Sequence, residues 1–382
     1  MTRVLLAFDK FKDALTAQAA GAAVAAALQQ VRPDWRIDHA PLADGGEGFA
    51  KILTETAAGR MVTHRVTGPR GSPVEAGFGL VPANRIPPPA RAPLRLDADA
   101  TAMVAIIEMA AASGLALLPT DQRDPWHTTT FGTGELIRHA SAPGVQAIVL
   151  GVGGSATHDL GLGALAAIGL EFHGATGAPV PAVWPQITSV GGKVTTGLPP
   201  IYIACDVTNP LLGPRGAAAV YGPQKGLRPA DQARLESESA RLADLLCQHC
   251  GQPPTMKDVP GAGAAGGIAF GLMTAAGAKL LPGFDLVSAW LDLDTKLAAA
   301  DIVITGEGRF DDSSLEGKGP GAVAARALAL GKTVHVFAGQ VTAAARPGLA
   351  LHAITPAGVP LAQALREAPQ NLTAAARAVF AR

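Results

Sequence analysis

The sequence predicts an α/β protein with largely parallel sheets, and three observations carry the prediction. Short apolar runs alternate with helical segments along most of the chain, and strands separated by helices run parallel with the helices covering the sheet faces. Five of those runs end in loops that carry acids, three of them with glycines close by, at the carboxyl ends of strands, where such sheets bind ligands. The 382 residues, 48% hydrophobic and 4% aromatic, are enough for two domains or three.

Residues 4–8 form the first strand. Thr16 then caps an alanine-rich helix running to about Gln30, because its hydroxyl can accept a free N–H of the first turn. A second strand near residues 36–40 ends in the loop ADGGEG. Residues 62–67 and 75–81 alternate apolar and polar side chains as strands do. The proline-rich VPANRIPPPARAPL that follows cannot join a sheet ladder and is expected as a surface excursion. AMVAIIEM (102–109), AIVLGV (147–152) and IYIAC (201–205) are further strands. DQARLESESARLADLLCQHC (231–250) places Leu235, Leu242, Leu245 and Leu246 on one helical face. The last hundred residues alternate strictly: DIVITG, a helix from about Pro320, TVHVFAG, a helix, LHAIT, a helix.

Composition excludes several function classes. Lys plus Arg and Asp plus Glu both number 31, so no basic field exists to collect nucleic acid or an anionic membrane. Cys205, Cys247 and Cys250 are too few for a disulfide framework and point to a reducing, cytoplasmic setting. The N-terminal apolar run is too short for a secretion signal. Residues 261–278 carry no charge, but they are mostly glycine and alanine, which fits a tightly packed buried helix rather than a membrane span.

IVLGVGGSATHDLGLG (148–163) has three readings. It matches G-x-G-x-x-A at Gly151, Gly153 and Ala156, with Glu171 where a dinucleotide fold keeps its ribose-binding acid. It also suits a phosphate cradle, in which glycines admit backbone N–H groups, Ser155 and Thr157 add hydroxyls, and the next helix lends its positive end. A tight strand-to-helix turn with Asp159 in the first turn is the plain alternative. DSSLEGKG (312–319) resembles the end of a Walker A loop but lacks its first glycine and its Ser or Thr, although Lys318 retains the reach of a point charge. The lone CQHC at 247–250 lacks a second pair for zinc.

Several motifs together resemble those of the type I glycerate kinases: PLADGGEGF (41–49), IEMAAASGL (107–115), TTTFGTGELI (128–137), GVGGSATHDLGLG (151–163), ACDVTNPLLGP (204–214), YGPQKG (221–226), PGAGAAGGIAFGL (260–272) and ITGEGRFD (304–311). The order is the family's and nearly the whole chain is covered. Departures are DKFKDALTA where the family has a sequence close to DSFKGSLSA, and His158 where it usually has asparagine. The resemblance implies two α/β domains: a Rossmann-like domain formed by both chain ends (1–66 plus 297–382) and a second inserted between them (67–296), with the active site in the cleft.

It further implies ATP-dependent phosphorylation of D-glycerate with magnesium, at the 2-hydroxyl, and small-molecule partners only; the oligomeric state stays open. A glycerate 3-kinase and a nicotinamide-dependent dehydrogenase are the alternatives. On this footing the phosphate cradle is expected at Gly153, Gly154, Ser155 and Thr157, and magnesium at Asp206 and Asp44. Lys12 and Lys225 are expected to contact phosphate or carboxylate, and Asp44 or Glu47 to orient the hydroxyl. Gly45, Gly46, Asp159, Asn209, Glu307 and Asp311 complete the substrate and phosphate contacts.

Overall fold

The computed structural model describes residues 1–97, 99, 101–177, 186–312, 314 and 319–381. It divides into two compact units, Met1–Asp44 with Val287–Arg382, and Gly45–Leu286. The strands are β1 (Arg3–Phe8), β2 (Arg36–His39), β3 (Arg60–Thr67), β4 (Pro73–Pro82), β5 (Met103–Glu108), β6 (Val145–Gly151), β7 (Leu170–His173), β8 (Ser189–Gly192), β9 (Ile201–Ala204), β10 (Lys279–Leu281), β11 (Ile302–Phe310), β12 (Thr333–Val341) and β13 (Leu349–Ala353). Residues 45–66 lie in the second unit, not with the chain ends, because β3 pairs antiparallel with β4 along its whole length.

The first unit holds a five-stranded sheet in the order β13-β12-β11-β1-β2, every pair parallel. Central parallel strands bury both faces, which is why Val4 to Phe8 is an unbroken apolar run with no residue more than 1% exposed. Thr16 caps the helix Ala17–Val31, its Oγ1 accepting the amide of Ala19 at 3.1 Å. That helix buries Ala20, Val24, Ala27 and Leu28 against Leu372, Ala376 and Phe380 of the helix Leu361–Phe380.

The second unit holds a six-stranded sheet, β10-β9-β6-β5-β4-β3, parallel from β10 to β5 and antiparallel through β4 and β3. β7 and β8 form a separate antiparallel pair. The proline-rich stretch is not a surface excursion: Val81 and Pro82 still pair with Val104 and Met103, and Pro88–Leu94 is a helix that buries Ala90 and Leu94. Pro88 is accommodated at the first helical position, which has no intrahelical acceptor for its missing N–H, while Pro93 lies inside the last turn. The uncharged glycine-alanine segment is buried over Ala264–Ala276 and is helical there except at a left-handed kink over Ala265, Gly266 and Gly267. Gly266 sits at φ +76°, and a Cβ there would lie 2.1 Å from the carbonyl oxygen of Thr157, so only glycine lets this helix meet the 157–160 loop. Among the described residues no helix is long and apolar enough to cross a membrane.

His158 is fully buried in this unit, its Nε2 3.3 Å from Ser239 Oγ. Ser239 donates its own proton to the carbonyl of Leu235, so the imidazole Nε2 is the donor of the pair. Burial, with Lys225 nearby, pushes the imidazole down to about 3. Between that value and the unfolded value near 6.5 the unfolded chain binds a proton that the folded chain does not, so stability falls as pH drops through this window. The loss at pH 5 is about 2 kcal/mol. His158→Asn should therefore flatten the dependence of Tm on pH between 7 and 4.5, whatever its effect at neutral pH; parallel curves for variant and wild type would show that His158 is not the group responsible.

Candidate active site

In the first unit the chain leaves β1 toward β2 on one side and β11 toward β12 on the other. β1 and β11 therefore flank the point where the strand order reverses, and the crevice beyond their carboxyl ends is the ligand position of such a sheet. Asp9 follows β1, and its amide donates to the carbonyl of Gly306 at 3.0 Å, which fixes it beside the end of β11. Burial raises the Asp9 carboxyl to about 6; Lys10 opposes the rise and Asp44 adds to it. Glu307, within β11, is raised to about 7 by burial first, with Asp9, Asp311 and Asp44 adding repulsion against a hydrogen bond from Ser314. Lys10 Nζ lies 2.9 Å from Asp44 Oδ1, and Arg309 Nε lies 3.3 Å from Asp311 Oδ2.

The same unit has a cavity of about 570 Å³ lined by Phe11, Lys12, Gly308, Gly339, Ile354 and Leu365 among others, and Gly308 and Arg309 of its wall follow Glu307 in β11. It sits at the carboxyl ends of β11, β12 and β13. Its walls are apolar with a few polar groups at the β11 side, the usual make-up of a small-molecule pocket. Of the residues expected from sequence, Lys12, Asp44, Glu307 and Asp311 thus belong to the first unit. Lys318 lies outside the described residues.

The second unit gathers the remaining expected residues around the ends of β6 and β9, and the geometry gives most of them structural work. Gly45 carries φ +82° and approaches the carbonyl of Ala204, and its own carbonyl accepts the amide of Gly153 at 3.0 Å. A Cβ on Gly153 would lie 2.6 Å from the Cα of Gly46. The glycines at 45, 46 and 153 therefore let two loops of this chain pack backbone to backbone. Gly154 has φ +73°, and its carbonyl accepts the amide of Leu115, while Ala156 donates to Ser113. The helix after the loop begins only at Leu162 and is six residues long. Its first-turn amides at Gly161 and Gly163 donate to the carboxylate of buried Asp159, which also accepts the amide and hydroxyl of Thr130. The positive end expected to face a phosphate is thus met by Asp159. Burial raises the Asp159 carboxyl while these donors lower it.

Lys225 is 1% exposed and donates from Nζ to Ser155 Oγ at 2.8 Å and to the carbonyl of Thr157 at 2.6 Å, an internal tie rather than a hand toward solvent. Burial lowers its ammonium to about 7, against the pull of Asp159. Thr157 Oγ1 is buried without a hydrogen-bond partner among the described residues. Asp206 Oδ2 accepts the amide of Phe284 at 2.8 Å, anchoring the helix Gly283–Trp290. Both ends of the Asn209 side chain are engaged, by Tyr221 and by the carbonyl of Arg215. Glu47 is exposed just before the helix Phe49–Thr56. Glu171 lies on β7, outside the six-stranded sheet, and pairs with His173, so the dinucleotide reading loses its ribose acid. Sequence reasoning marked the loop DKFKD after the first strand but gave Asp9 and Lys10 no role, and it did not select Glu108. Glu108 ends β5 and accepts the amides of Gly48 and Ala50; its signal was an acid closing an otherwise apolar strand.

Among the described residues no three His, Cys, Asp or Glu side chains are placed to hold one ion together. The first unit nevertheless fits magnesium. Asp9, Asp44 and Asp311 each raise the proton affinity of Glu307, a repulsion that a divalent cation relieves. The donors are all oxygen, and this hard ion is commonly held by one or two carboxylates with phosphate oxygens and water.

Residues 4–382 match the model of the glycerate kinase family. A glycerate kinase of Bacillus subtilis is 37% identical, with 99% of this chain and 97% of that one covered. A glycerate 2-kinase of Escherichia coli is 36% identical, covering 89% and 86%. A crystal structure of a candidate glycerate kinase 2 from Salmonella typhimurium LT2 superimposes with a TM-score of 0.78 at 39% identity, over 100% of this chain and 98% of that one. The chain therefore belongs to the glycerate kinase family.

Proposed function

We infer that the protein transfers the terminal phosphoryl group of ATP to the 2-hydroxyl of D-glycerate, giving 2-phosphoglycerate and ADP. The observation that carries the placement is the group of mutually repelling carboxylates at the β1/β11 switch point, beside a cavity of nucleotide size. The name of the Escherichia coli relative supports the choice of hydroxyl.

In this reading the apolar wall of the cavity takes the adenine base and the phosphates extend past Gly308, where the β11 backbone carries no side chain. Asp44, with phosphate oxygens, would hold magnesium, which supplies positive charge to the moving phosphoryl group. Lys12, exposed at the cavity edge, adds a mobile cation for the same charge. Glu307 is the group suited to take the hydroxyl proton, since a base works best with its proton affinity near the working pH. The β6 loop acts through its rigidity: Lys225 and Asp159 hold its backbone in place. The free thiols suit a reducing, cytoplasmic compartment.

Phosphorus NMR of the product formed from D-glycerate and MgATP tests the reaction: 2-phosphoglycerate is expected, and accumulation of 3-phosphoglycerate would mean that the other hydroxyl is the acceptor. Glu307→Gln should cut kcat by about 10²-fold or more while leaving Tm unchanged or higher, because it removes a repelled carboxylate; a kcat within a few-fold of wild type would remove Glu307 from the chemistry.

A pair of valines locates the nucleotide. Gly308 has no positive φ, and a Cβ there meets its nearest atom at 3.5 Å, so Gly308→Val should fold normally and raise the KM for ATP about tenfold or more by narrowing the pocket. Gly154→Val forces a branched side chain to φ +73° and should lower Tm, while the folded fraction keeps its KM for ATP. The opposite pattern, normal ATP kinetics in the first variant and weakened ATP binding in the second, would move the phosphates to the β6 loop.

A further inference from the structure

In the second unit, residues 121–127 and 226–234 help to enclose a cavity of about 650 Å³ whose walls carry Arg70, Arg123, Arg228 and Arg234 together with Trp126 and His127. Four guanidinium groups gather around one cavity in a chain whose net charge is zero. Three acids share the walls, and two are engaged: Asp124 holds His127 Nδ1 at 2.6 Å, and Asp231 holds Arg228 Nε at 2.6 Å. Asp124 keeps its charge beside an imidazole, so the four arginines of the wall exceed its three acids by one. Arg70 gives one Nη1 hydrogen bond to the carbonyl of Gln122 at 3.2 Å, and Arg123 Nε is buried without an acceptor among the described residues.

The walls are also fixed in advance. The guanidinium of Arg234 lies 4.7 Å above the Trp126 ring, which holds its plane by cation–π attraction. Gly226, at φ +90°, passes so close to the carbonyl of Arg123 that a Cβ would sit 2.2 Å from that oxygen. The two segments thus approach backbone to backbone, and the Arg234 guanidinium is placed over Trp126 without a ligand. Planar guanidinium groups with unused donors recognise carboxylate and phosphate in two-pronged fashion.

We propose that this cavity is a binding site for a small organic anion with two or more negative charges, a phosphate ester that also carries a carboxylate. A monoanion satisfies one guanidinium fork; a phosphate and a carboxylate on one carbon frame satisfy two or three, and the volume admits a frame of several carbons. The inference rests on the proposed reaction only in its probe, 2-phosphoglycerate.

The test follows tryptophan emission as 2-phosphoglycerate is added, since Trp126 lies in the wall. A saturable change is expected that is absent in Trp126→Phe, is at least tenfold weaker in affinity for D-glycerate, and weakens with added salt. Arg70→Gln with Arg234→Gln, both exposed positions, should raise the dissociation constant at least tenfold at unchanged Tm. No emission response at millimolar 2-phosphoglycerate, or wild-type affinity in the double variant, overturns the site. ADP release with D-glycerate and MgATP, measured on the same wild-type sample, separates the two readings. Turnover without a Trp126 response removes the cavity site and leaves the reaction; a Trp126 response without turnover does the reverse.

Discussion

A single buried cation organises the second unit. The Lys225 ammonium has no access to water, and its two hydrogen-bond partners, Ser155 Oγ and the Thr157 carbonyl, both lie in the loop after β6. An ammonium taken from water and held only by neutral oxygens is pushed down to about 7, and leaving one of its buried hydrogen bonds unmade typically costs about 1–3 kcal/mol. Lys225 therefore dictates the path of residues 155–157, and the rest of the unit conforms. Thr157, held by its carbonyl, meets Gly266 at a distance only glycine tolerates, and Asp159 then fastens the start of the next helix to Thr130. The motifs TTTFGTGELI, GVGGSATHDLGLG, YGPQKG and PGAGAAGGIAFGL are four strands of sequence meeting around one charge.

The first unit obeys the opposite rule. Asp9 and Glu307 are drawn toward neutrality by burial and by neighbouring carboxylates, and the hydrogen bonds within the unit do not bring them back to the ordinary range. Folding places like charges together at the switch point, which lowers stability in the absence of a cation and makes a ligand-bearing cation favourable there. One unit holds a loop in a fixed shape, while the other keeps two carboxyls, those of Asp9 and Glu307, above the ordinary range.

Much of this was legible in the sequence. Unbroken apolar runs marked the parallel strands, and Thr16 marked a helix start because its hydroxyl is a local acceptor. Local chemistry also gave the acid-glycine loops as strand ends. What the sequence hid were relations between distant backbones. The helix Pro88–Leu94 was masked by prolines that disfavour a ladder yet suit a first turn. The unit boundary fell at Asp44 rather than near residue 66 because β3 pairs with β4, a choice made by partners and not by propensity. Gly153 looks identical on paper whether it faces a phosphate or the Cα of Gly46.

That ambiguity extends to the acids, and burial resolves it. Asp159 and Glu307 both stand beside glycines after apolar strands, and both are raised by desolvation. Asp159 meets four donors in a closed space, so its charge is already balanced and its role is to cap a helix and hold Thr130. Glu307 has one opposing hydrogen bond and three repelling acids around it, so its charge is unbalanced until something positive, a proton or a metal ion, comes to it. A carboxyl group near a strand end is structural where the protein supplies its donors and, in the proposed reaction, a base where it withholds them. Sequence spacing cannot express that difference, because the donors come from Thr130 in one case and the repelling acids from Asp9 and Asp44 in the other, each far along the chain.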